Sequence, residues 1–223
     1  MLNHQEFDLW ADGYDQSVGL SDEENTYPFA GYRKVLGGIF QTIMAHPCAA
    51  VLDIGFGTGV LTARLYQAGC RVYGQDFSAR MIQLARAKMP DAQLVQGDFT
   101  RGIVPELTVN RYDFIISTYA LHHLTDAQKP GFIRSLLALL NPGGQLLVGD
   151  VAFATRTEEA ACRAAAGNAW DDEEYYFIAE AMPGYAPDSF TPLSHCAGVL
   201  AWHRPVITLE PLSPAKEPDH AAD

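Results

Sequence analysis

The strongest constraint on the fold is an alternation that runs from residue 50 to residue 153. Short apolar runs in this stretch are separated by amphipathic segments whose apolar residues recur at helical spacing. The apolar runs are AVLDIG (50–55), RVYGQD (71–76), AQLVQGD (92–98), YDFIISTY (112–119) and QLLVGDVAF (145–153). Strands that are apolar on both faces and alternate with helices indicate a parallel sheet covered on both sides. The sequence therefore predicts a doubly wound α/β fold.

The segments between these strands carry helix signals of their own. Gly69 is placed to end the first helix, and Ser78 is placed to cap a second helix that Pro90 ends. A third helix is predicted to end at NPGG (141–144). Its apolar side consists of Phe132, Ile133, Leu136, Leu137 and Leu140.

The flanks of this core follow other patterns. Residues 4–46 are predicted to be helical at both ends, around the acidic loop or lid LSDEENTYPF (20–29). Residues 156–181 are predicted to be helical, including WDDEEYYF (170–177), and SFTPLSHCAGVLAW (189–202) is predicted to form two closing strands or a hairpin. We expect one domain over residues 1–204, with a helical cap or lid (1–46), a ligand-binding core (47–153), C-terminal helices and closing strands (154–204), and then a disordered tail (205–223).

Composition limits the partners that such a domain can have. The chain has 223 residues and a formal net charge of -12. It contains no cluster of lysine and arginine of the kind that binds nucleic acid. No run approaches the roughly 18 apolar residues that a membrane span needs, and the N-terminus lacks the pattern of a secretory signal. Cys48, Cys70, Cys162 and Cys196 are far apart in sequence, so we expect reduced thiols in a cytoplasmic protein. A small molecule, in particular a cationic one, suits this charge.

A glycine-rich loop follows the first predicted strand. VLDIGFGTGVLT (51–62) places Gly55, Gly57 and Gly59 between a strand and a helix. Such a loop lets the backbone approach a ligand closely and directs helix N–H groups at it. The spacing G-x-G-x-G differs from the dinucleotide pattern G-x-G-x-x-G/A, because Val60 stands at its last position.

Two acidic residues at strand ends give this loop a more specific meaning. Asp76 ends the second strand, where a carboxylate can accept hydrogen bonds from both hydroxyls of a ribose. Asp98 ends the third strand, where it can accept from the exocyclic amine of an adenine, with Phe99 beside it. Each residue alone is equally typical of a turn or a helix N-cap. Together with the loop, they indicate a nucleoside site at one edge of the sheet.

These motifs resemble those of the class I S-adenosylmethionine-dependent methyltransferases. VLDIGFGTG is similar to their first motif, YGQDFS to their second and QGDF to their third. DFIISTYALHHLTD resembles the segment after the fourth strand in members that act on small molecules, and FDLWADGYD resembles an N-terminal cap helix of bacterial members. The resemblance implies a mostly parallel, seven-stranded, Rossmann-like sheet, the cofactor S-adenosylmethionine and methyl transfer to a small-molecule acceptor by in-line displacement.

The resemblance also implies roles for individual residues. Gly55, Gly57 and Gly59 would line the methionine and ribose portion, and Asp53 would anchor the loop or meet the amino group. The remaining contacts would be Asp76 at the ribose, Phe77 and Met81 flanking the adenine, Asp98 and Phe99 at its edge, Thr118 beside the methionine part, and Tyr14 or Trp10 closing over the cofactor. For Tyr14 and Trp10 the alternative is a core stripe with Phe7 and Ala11, at spacing i, i+3, i+4, i+7.

The sequence excludes some acceptors and leaves others open. The fourth strand is followed by STYA in place of the D/N-P-P-Y/F segment of enzymes that methylate base amino groups. A magnesium-dependent catechol enzyme needs several carboxylates after strands four and five, where only Asp150 is present, so we predict no metal. The acidic segment WDDEEYY either binds a cationic substrate or is a solvated helix start. Two alternatives to the methyltransferase remain, a non-catalytic S-adenosylmethionine-binding module and an NAD(P)-dependent oxidoreductase.

The segment YALHHLTD (119–126) contains adjacent histidines. Adjacent residues rarely direct their side chains at one ion from regular backbone, which disfavours a metal site. Thr125 with Gln128 predicts a capping box for the helix that follows, with Pro130 making its first turn irregular. His122 is the candidate catalytic residue, as a positioning group or a general base. This segment leaves the fourth strand at the C-terminal edge of the sheet, where the strand order of such folds reverses and the methyl group should lie.

Overall fold

The strands come first, because they fix the positions of all the other elements. The structure is a computed structural model that describes residues 22–205, and eight strands lie in that range. They are β1 (Ala50–Ile54), β2 (Arg71–Asp76), β3 (Gln93–Gln96), β4 (Tyr112–Thr118), β5 (Leu140–Phe153), β6 (Phe177–Ile178), β7 (Ser189–Pro192) and β8 (Ala197–His203).

Seven of these strands form one continuous sheet in the order β3-β2-β1-β4-β5-β8-β7, and β6 pairs with β5 outside that path. The strands from β3 to β5 in this order are parallel, β8 runs antiparallel to β5, and β7 runs antiparallel to β8. The predicted mostly parallel, doubly wound sheet and the closing strand pair are therefore confirmed. The order reverses between β1 and β4, which makes the C-terminal edge of these two strands the place where ligands bind in such sheets.

Six α-helices connect and cover the strands in residues 22–205. They are α1 (Tyr32–Met44), α2 (Val60–Gln67), α3 (Ala79–Lys88), α4 (Pro105–Thr108), α5 (Lys129–Leu139) and α6 (Arg156–Ala166). Ser78 caps α3 as predicted, since its Oγ accepts a hydrogen bond from the Met81 amide at 3.1 Å. The buried residues form two clusters, and β1 contributes Val51 to one cluster and Leu52 to the other. Because successive strand residues face opposite sides, the two clusters lie on the two faces of the sheet.

The predicted long helix over residues 156–181 is wrong beyond Ala166. Gly167 has a φ of 55°, and beyond α6 the predicted range contains two short 3-10 turns (Gly167–Ala169 and Ala179–Ala181) with β6 between them. The acidic segment then takes an irregular path to β6, with its backbone groups bonded elsewhere in the molecule. Nζ of the buried Lys129 donates to the carbonyls of Tyr175 and Tyr176. These tertiary contacts replace the helical hydrogen bonds that the composition favoured.

The predicted start of the fifth strand is also wrong, because β5 begins at Leu140 and includes the NPGG segment. Asn141 donates a 2.7 Å hydrogen bond to the Asp113 carboxylate, and Gly143 and Gly144 exchange backbone hydrogen bonds with Arg204. A Cβ on Gly144 would lie 2.9 Å from two carbonyl oxygens, so this glycine permits the close approach of neighbouring strands. The NPGG segment thus follows the end of α5 as predicted, but it is itself part of strand β5.

The described part of the chain bears on only some of the flank predictions. None of the helices in residues 22–205 has both the length and the apolar character needed to cross a membrane. Tyr14, Trp10 and the rest of the predicted cap before residue 22 lie outside the described residues, as does nearly all of the predicted tail. The domain boundaries stay predictions.

Candidate active site

A cavity of about 280 Å³ opens at the C-terminal edge of the sheet, where the strand order reverses. The cavity is lined by residues from the ends of four strands. They lie just after β1, at the ends of β2 and β4, and near the end of β5. We call one side of it the glycine-loop side, formed by Asp53, Gly55, Gly57, Asp76, Phe77, Met81 and Phe99. We call the other side the aromatic–acidic wall, formed by Phe29, Tyr32, Tyr119, Asp171 and Glu174. Thr118, His122 and His123 also line the cavity.

The three loop glycines have backbone conformations that other residues rarely adopt, with φ values of 72° at Gly55, 56° at Gly57 and 76° at Gly59. A Cβ on Gly55 would lie 2.5 Å from Cβ of Ala120, whereas a Cβ on Gly57 would meet no protein atom within 4 Å. Gly57 therefore leaves room for a ligand against the backbone. Gly59 does not line the cavity. It lies beside Met89 and Ala85 at the start of α2, so its evident role is packing.

The carboxylate of Asp76 is held in place at the end of β2. Its Oδ2 accepts a 2.8 Å hydrogen bond from the Gly57 amide, and its Oδ1 accepts a 2.9 Å bond from the Ser78 amide. The side chain is buried yet borders the cavity. A carboxylate with both oxygens held by backbone groups presents these oxygens in a fixed direction. This arrangement suits recognition of neighbouring hydroxyl groups, as the sequence predicts.

Asp53 is fully buried and has one oxygen without a protein partner. Its Oδ2 accepts a 2.5 Å hydrogen bond from the Thr62 hydroxyl, while Oδ1 has no hydrogen-bond partner among the described residues. Burial raises the pKa of Asp53 to about 7, although the bond from Thr62 opposes the rise. A buried carboxylate oxygen left open at a cavity is costly unless a ligand satisfies it. A cationic donor such as an ammonium group is the ligand that would do so best.

Asp98 does not line the cavity. It caps a 3-10 turn (Phe99–Arg101) and accepts bonds from the amide and the hydroxyl of Thr100, at 2.9 and 2.6 Å. This is the turn-capping alternative that the sequence left open. Phe99 is buried and does line the cavity. Of the predicted cofactor residues in the described range, Asp98 and Gly59 alone lie away from it.

Aromatic rings dominate the far side of the cavity, and the sequence pattern did not single them out. The ring of Tyr119 lies 5.3 Å from that of Phe29 and 5.2 Å from that of Tyr32. Behind them, Tyr27 stacks on Trp170 at 5.1 Å, and Tyr176 meets Trp170 edge-on. These rings come from segments far apart in sequence. The positive φ of Tyr119, 49°, has no sequence signal other than its place directly after β4.

His122 lies between two carboxylates. Its Nδ1 is 2.6 Å from Oδ1 of Asp150, and its Nε2 is 3.3 Å from Oε1 of Glu174. Burial by itself would lower the pKa of His122, but the charge of Asp150 and the bonds to both carboxylates raise it to about 10. Near neutral pH both ring nitrogens therefore carry protons. Of the two roles predicted for His122, this geometry favours the positioning group, because a general base needs a free ring nitrogen.

Glu174 and His123, which lie next to His122, have pKa values that are lowered, whereas that of His122 is raised. Burial would raise the pKa of Glu174, but the hydrogen bond and charge of His122 lower it to about 2. Burial and the His122 charge together lower the pKa of His123 to about 4. Glu174 is thus ionised and His123 neutral near pH 7. The Tyr176 hydroxyl also donates to Oε2 of Glu174 at 2.8 Å, which fixes this carboxylate at the wall.

The remaining predictions for the histidine segment concern its end. Gln128 Oε1 accepts from the Thr125 amide at 3.0 Å, and Thr125 Oγ1 accepts from the Gln128 amide at 3.3 Å, so the predicted capping pair is present. The helix proper begins at Lys129, with Pro130 in its first turn, after the irregular turn that was expected. The segment is therefore a capping device that also carries one residue of the cavity network.

Two groups of side chains in residues 22–205 have metal-ligand atoms within 4.8 Å of one another. One is His122, His123 and Glu174 at the cavity, and the other is Cys162, His195 and Cys196. In the first group His122 is already engaged by two carboxylates, and a metal ion would have to displace its protons. The sequence prediction of no metal stays a prediction.

Comparison with known proteins adds an independent line of information. A family profile described as "Methyltransferase domain" matches residues 51–144. An uncharacterized methyltransferase of Anoxybacillus flavithermus is 39% identical over 150 residues, covering 67% of this chain and 68% of the relative. An uncharacterized methyltransferase of Geobacillus sp. (strain WCH70) is 41% identical over 151 residues, covering 67% and 68%.

Solved structures with low sequence identity share the fold. Magnesium protoporphyrin IX methyltransferase from Synechocystis PCC 6803, solved with bound SAH, has a TM-score of 0.62 at 20% identity, covering 79% of this chain and 84% of that one. The putative methyltransferase in complex with the Haloferax volcanii Trm112 activator has a TM-score of 0.62 at 16% identity, covering 92% and 100%. At these identities the likeness concerns the fold alone.

Proposed function

Because this chain belongs to the family of S-adenosylmethionine-dependent methyltransferases, we propose that it methylates a small molecule whose acceptor group is an amine. The observation that carries the proposal is the composition of the aromatic–acidic wall. Asp171 and Glu174 face the cavity beside three aromatic rings, and none of the lining residues in the described part of the chain is a lysine or an arginine. Family membership sets aside the oxidoreductase alternative.

The glycine-loop side fits the methyl donor. S-adenosylmethionine supplies a methyl group on a positively charged sulfur when bound. The Gly57 backbone leaves open space at the cavity, Asp76 offers lone pairs for ribose hydroxyls, and Oδ1 of Asp53 is free to accept from the ammonium of the methionine part. Phe77, Met81 and Phe99 provide the apolar surface on which an adenine would lie.

Charge separates the acceptor classes. An anionic acceptor, such as a carboxylate or a phosphate, needs a cationic partner. His122 is the cationic side chain among the described lining residues, and Asp150 and Glu174 already surround it. One protonated imidazole beside the two carboxylate groups of Asp150 and Glu174 gives this cluster a net formal charge of about -1. A cation is therefore favoured at this wall and an anion is disfavoured.

The same charges suggest what Glu174 does. An amine accepts a methyl group only in its neutral form, after its proton has passed to solvent, and positive charge then develops on its nitrogen as the methyl group is transferred. A carboxylate that is already in place stabilises this charge without reorganisation. With a pKa of about 2, Glu174 is too weakly basic to remove a proton from an ammonium group. Its proposed role is to hold the acceptor nitrogen and stabilise the charge on it, while His122 and Tyr176 keep its carboxylate in position.

The aromatic rings contribute in two further ways. Faces of tyrosine and phenylalanine rings attract cations, by about 0.5–2 kcal/mol per ring depending on exposure. They also exclude water, which strengthens electrostatic interactions within the cavity. The whole cavity, with the side assigned to the methyl donor included, has a volume of about 280 Å³, just below the usual range of roughly 300–1,000 Å³ for small-molecule sites. These features support a small acceptor over a macromolecular one.

The test is a methyl-transfer assay against pools of small amines, phenols, thiols and carboxylic acids, detecting formation of the demethylated cofactor. We expect turnover in the amine pool. In Glu174→Gln we expect kcat/KM for the amine to fall at least tenfold, while the Kd for S-adenosylmethionine changes by less than threefold. Glu173→Gln is the matched control, because its side chain is next in sequence but does not line the cavity.

Other results would contradict the proposal. A carboxylic acid as the best acceptor, or a Glu174→Gln variant with unchanged kinetics, would remove the assigned role of the wall. Binding of a metal ion that is lost in Glu174→Gln and kept in Glu173→Gln would favour His122, His123 and Glu174 as metal ligands instead. Binding of S-adenosylmethionine without turnover in any pool would favour the non-catalytic alternative. Binding itself is detected by thermal unfolding, since a ligand at 100 times its Kd stabilises the protein by about 2.7 kcal/mol.

A further inference from the structure

A second cluster of reactive side chains lies outside the lining of the cavity. Cys162 is on α6, and His195 and Cys196 are in the turn between β7 and β8. One Sγ or imidazole nitrogen from each residue lies within 4.8 Å of the others. Both cysteines are buried, with exposed fractions of 5% and 0%, whereas His195 is exposed. The cluster thus consists of two sulfur atoms inside the protein and one imidazole at the surface.

We propose that Cys162, His195 and Cys196 form a binding site for a divalent metal ion that prefers sulfur and nitrogen ligands, with Zn²⁺ as the best match. Zinc binds cysteine sulfur and histidine nitrogen, and sites with three protein ligands keep a fourth position for water or another group. A tetrahedral ion with bonds of about 2.3 Å separates its ligand atoms by roughly 3.8 Å. A contraction of about 1 Å or less would bring this cluster to that geometry.

The turn that carries two of the ligands is held in a defined shape. Oγ of Ser194 accepts hydrogen bonds from the amides of Cys196 and Ala197, at 3.3 and 3.0 Å. The Leu193 and Ser194 amides both donate to the carbonyl of Ala197. The general objection to adjacent residues as ligands of one ion applies to regular strand or helix backbone. This turn is neither, so its backbone can direct His195 and Cys196 to the same side.

The proposed site adjoins the wall of the cavity. Sγ of Cys196 lies 3.8 Å from the carbonyl oxygen of Pro28, and Pro28 lines the cavity next to Phe29. A Cβ on Gly31 would lie 2.9 Å from Cβ of Ser194, so the turn packs closely against this segment. An ion bound here would tie α6, the turn after β7 and the segment around Pro28 together. We expect it to stabilise the fold by binding only the native arrangement.

A disulfide between Cys162 and Cys196 is the competing state. It would use both sulfur atoms and leave His195 without a role, whereas a metal ion uses all three groups. Reduced protein is therefore titrated with Co²⁺, which replaces Zn²⁺ and gives a thiolate-to-cobalt charge-transfer absorption. We expect one ion per chain, displacement by Zn²⁺, and a rise in the midpoint of thermal unfolding when Zn²⁺ is added.

Variants identify the ligands. Cys162→Ser and Cys196→Ser should abolish the charge-transfer band, and Cys70→Ser, at another buried cysteine, should leave it unchanged. His195→Ala is at an exposed position, so the protein should fold normally and bind Co²⁺ at least tenfold more weakly. Retention of the band in Cys162→Ser, equal affinity in wild type and His195→Ala, or a disulfide that persists under mild reduction and prevents binding would each overturn the proposal.

Discussion

The glycine-loop side of the cavity is built from residues 53–99, whereas the aromatic–acidic wall comes from three distant parts of the chain (29–32, 119 and 171–174). On the first side, the contacts that shape the site are mostly between a carboxylate and a nearby backbone amide, as between Asp76 and Gly57. On the second, they join side chains of separate segments, as among His122, Asp150 and Glu174.

This difference matters for function. A site made of backbone groups and strand ends depends on a local motif, and it suits a cofactor that a whole family shares. A site made of side chains from distant segments can change without altering the sheet. We therefore expect variants on the glycine-loop side to affect cofactor binding, and variants at the wall to affect the acceptor and the charge network.

The largest effect is expected where the two sides meet. In Gly55→Ala the new Cβ would lie 2.5 Å from Cβ of Ala120, at a φ of 72°. Overpacking and the left-handed backbone together should lower the free energy of unfolding by about 2–4 kcal/mol. Urea unfolding measures this loss. Gly37→Ala is the matched control, because Gly37 lies in α1 with no atom near its Cβ position, and that variant should gain roughly 0.5–1 kcal/mol. Equal stability of the two variants would show that the two sides are not in contact there.

The next effect concerns the charge network of the wall. The pKa of His122 is raised to about 10 in the folded protein, from an ordinary 6.5. The folded protein thus holds a proton that the unfolded chain releases, so this stabilisation is complete below pH 6.5 and is lost as the pH rises toward 10. The contribution of His122 to the free energy of unfolding should fall by up to about 1.4 kcal/mol per pH unit between pH 6.5 and pH 10.

Glu174→Gln isolates that contribution. Removing one of the two carboxylates should lower the pKa of His122 and flatten the difference in stability between pH 7 and pH 9, measured by urea unfolding. Glu173→Gln should keep the wild-type slope. If NMR showed the imidazole of His122 itself titrating near pH 6.5 in the wild type, that result would contradict the network.

A smaller effect is expected on the binding of the cofactor when Asp76 is substituted. Asp76→Asn removes the charge but keeps the size of the side chain that Gly57 and Ser78 hold. We expect the Kd for S-adenosylmethionine to rise about tenfold, which corresponds to about 1.4 kcal/mol, as measured by calorimetry. Asp98→Asn should change the Kd by less than threefold, because Asp98 bonds to Thr100 away from the cavity. A larger loss in Asp98→Asn would restore the role that the sequence resemblance implies for it.

The smallest effect is a pH dependence of cofactor affinity. Burial raises the pKa of Asp53 to about 7, and only the ionised carboxylate attracts an ammonium group fully. S-adenosylmethionine should therefore bind several-fold more tightly at pH 7.5 than at pH 5.5, a range in which an α-amino group stays mostly protonated. Asp53→Asn should bind weakly and show no such dependence. An equal pH dependence in wild type and variant would assign it to another group.

Some of these residues could be found from the sequence because their roles are local. Asp53 lies near the end of β1, Gly55 and Gly57 follow it, and Asp76 is the last residue of β2. Parallel strands bring their C-terminal ends to one edge of the sheet. Asp98 shows the limit of that argument. A carboxylate at a strand end can turn toward the ligand or cap the next turn, and Asp98 does the latter. Position in the chain does not distinguish these two orientations.

The acidic segment shows a second limit. Its composition predicted a helix, but Lys129 and the aromatic packing around Trp170 hold residues 170–176 in an irregular path. This path brings Glu174 to His122, a contact between residues 52 positions apart that no periodicity encodes. The three segments of the wall, and the cluster of Cys162 with His195 and Cys196, are likewise close only because the sheet brings their elements together.

The sequence by itself determined the parallel sheet, the glycine loop and most of the strand-end residues that line the cavity. These depend on apolar periodicity and on residues next to strand ends, which are properties of neighbouring positions. The tertiary structure alone decided the make-up of the aromatic–acidic wall, the protonation of His122 and the turn-capping role of Asp98. These depend on burial and on charges brought together from distant parts of the chain, and a single sequence does not encode such distances explicitly.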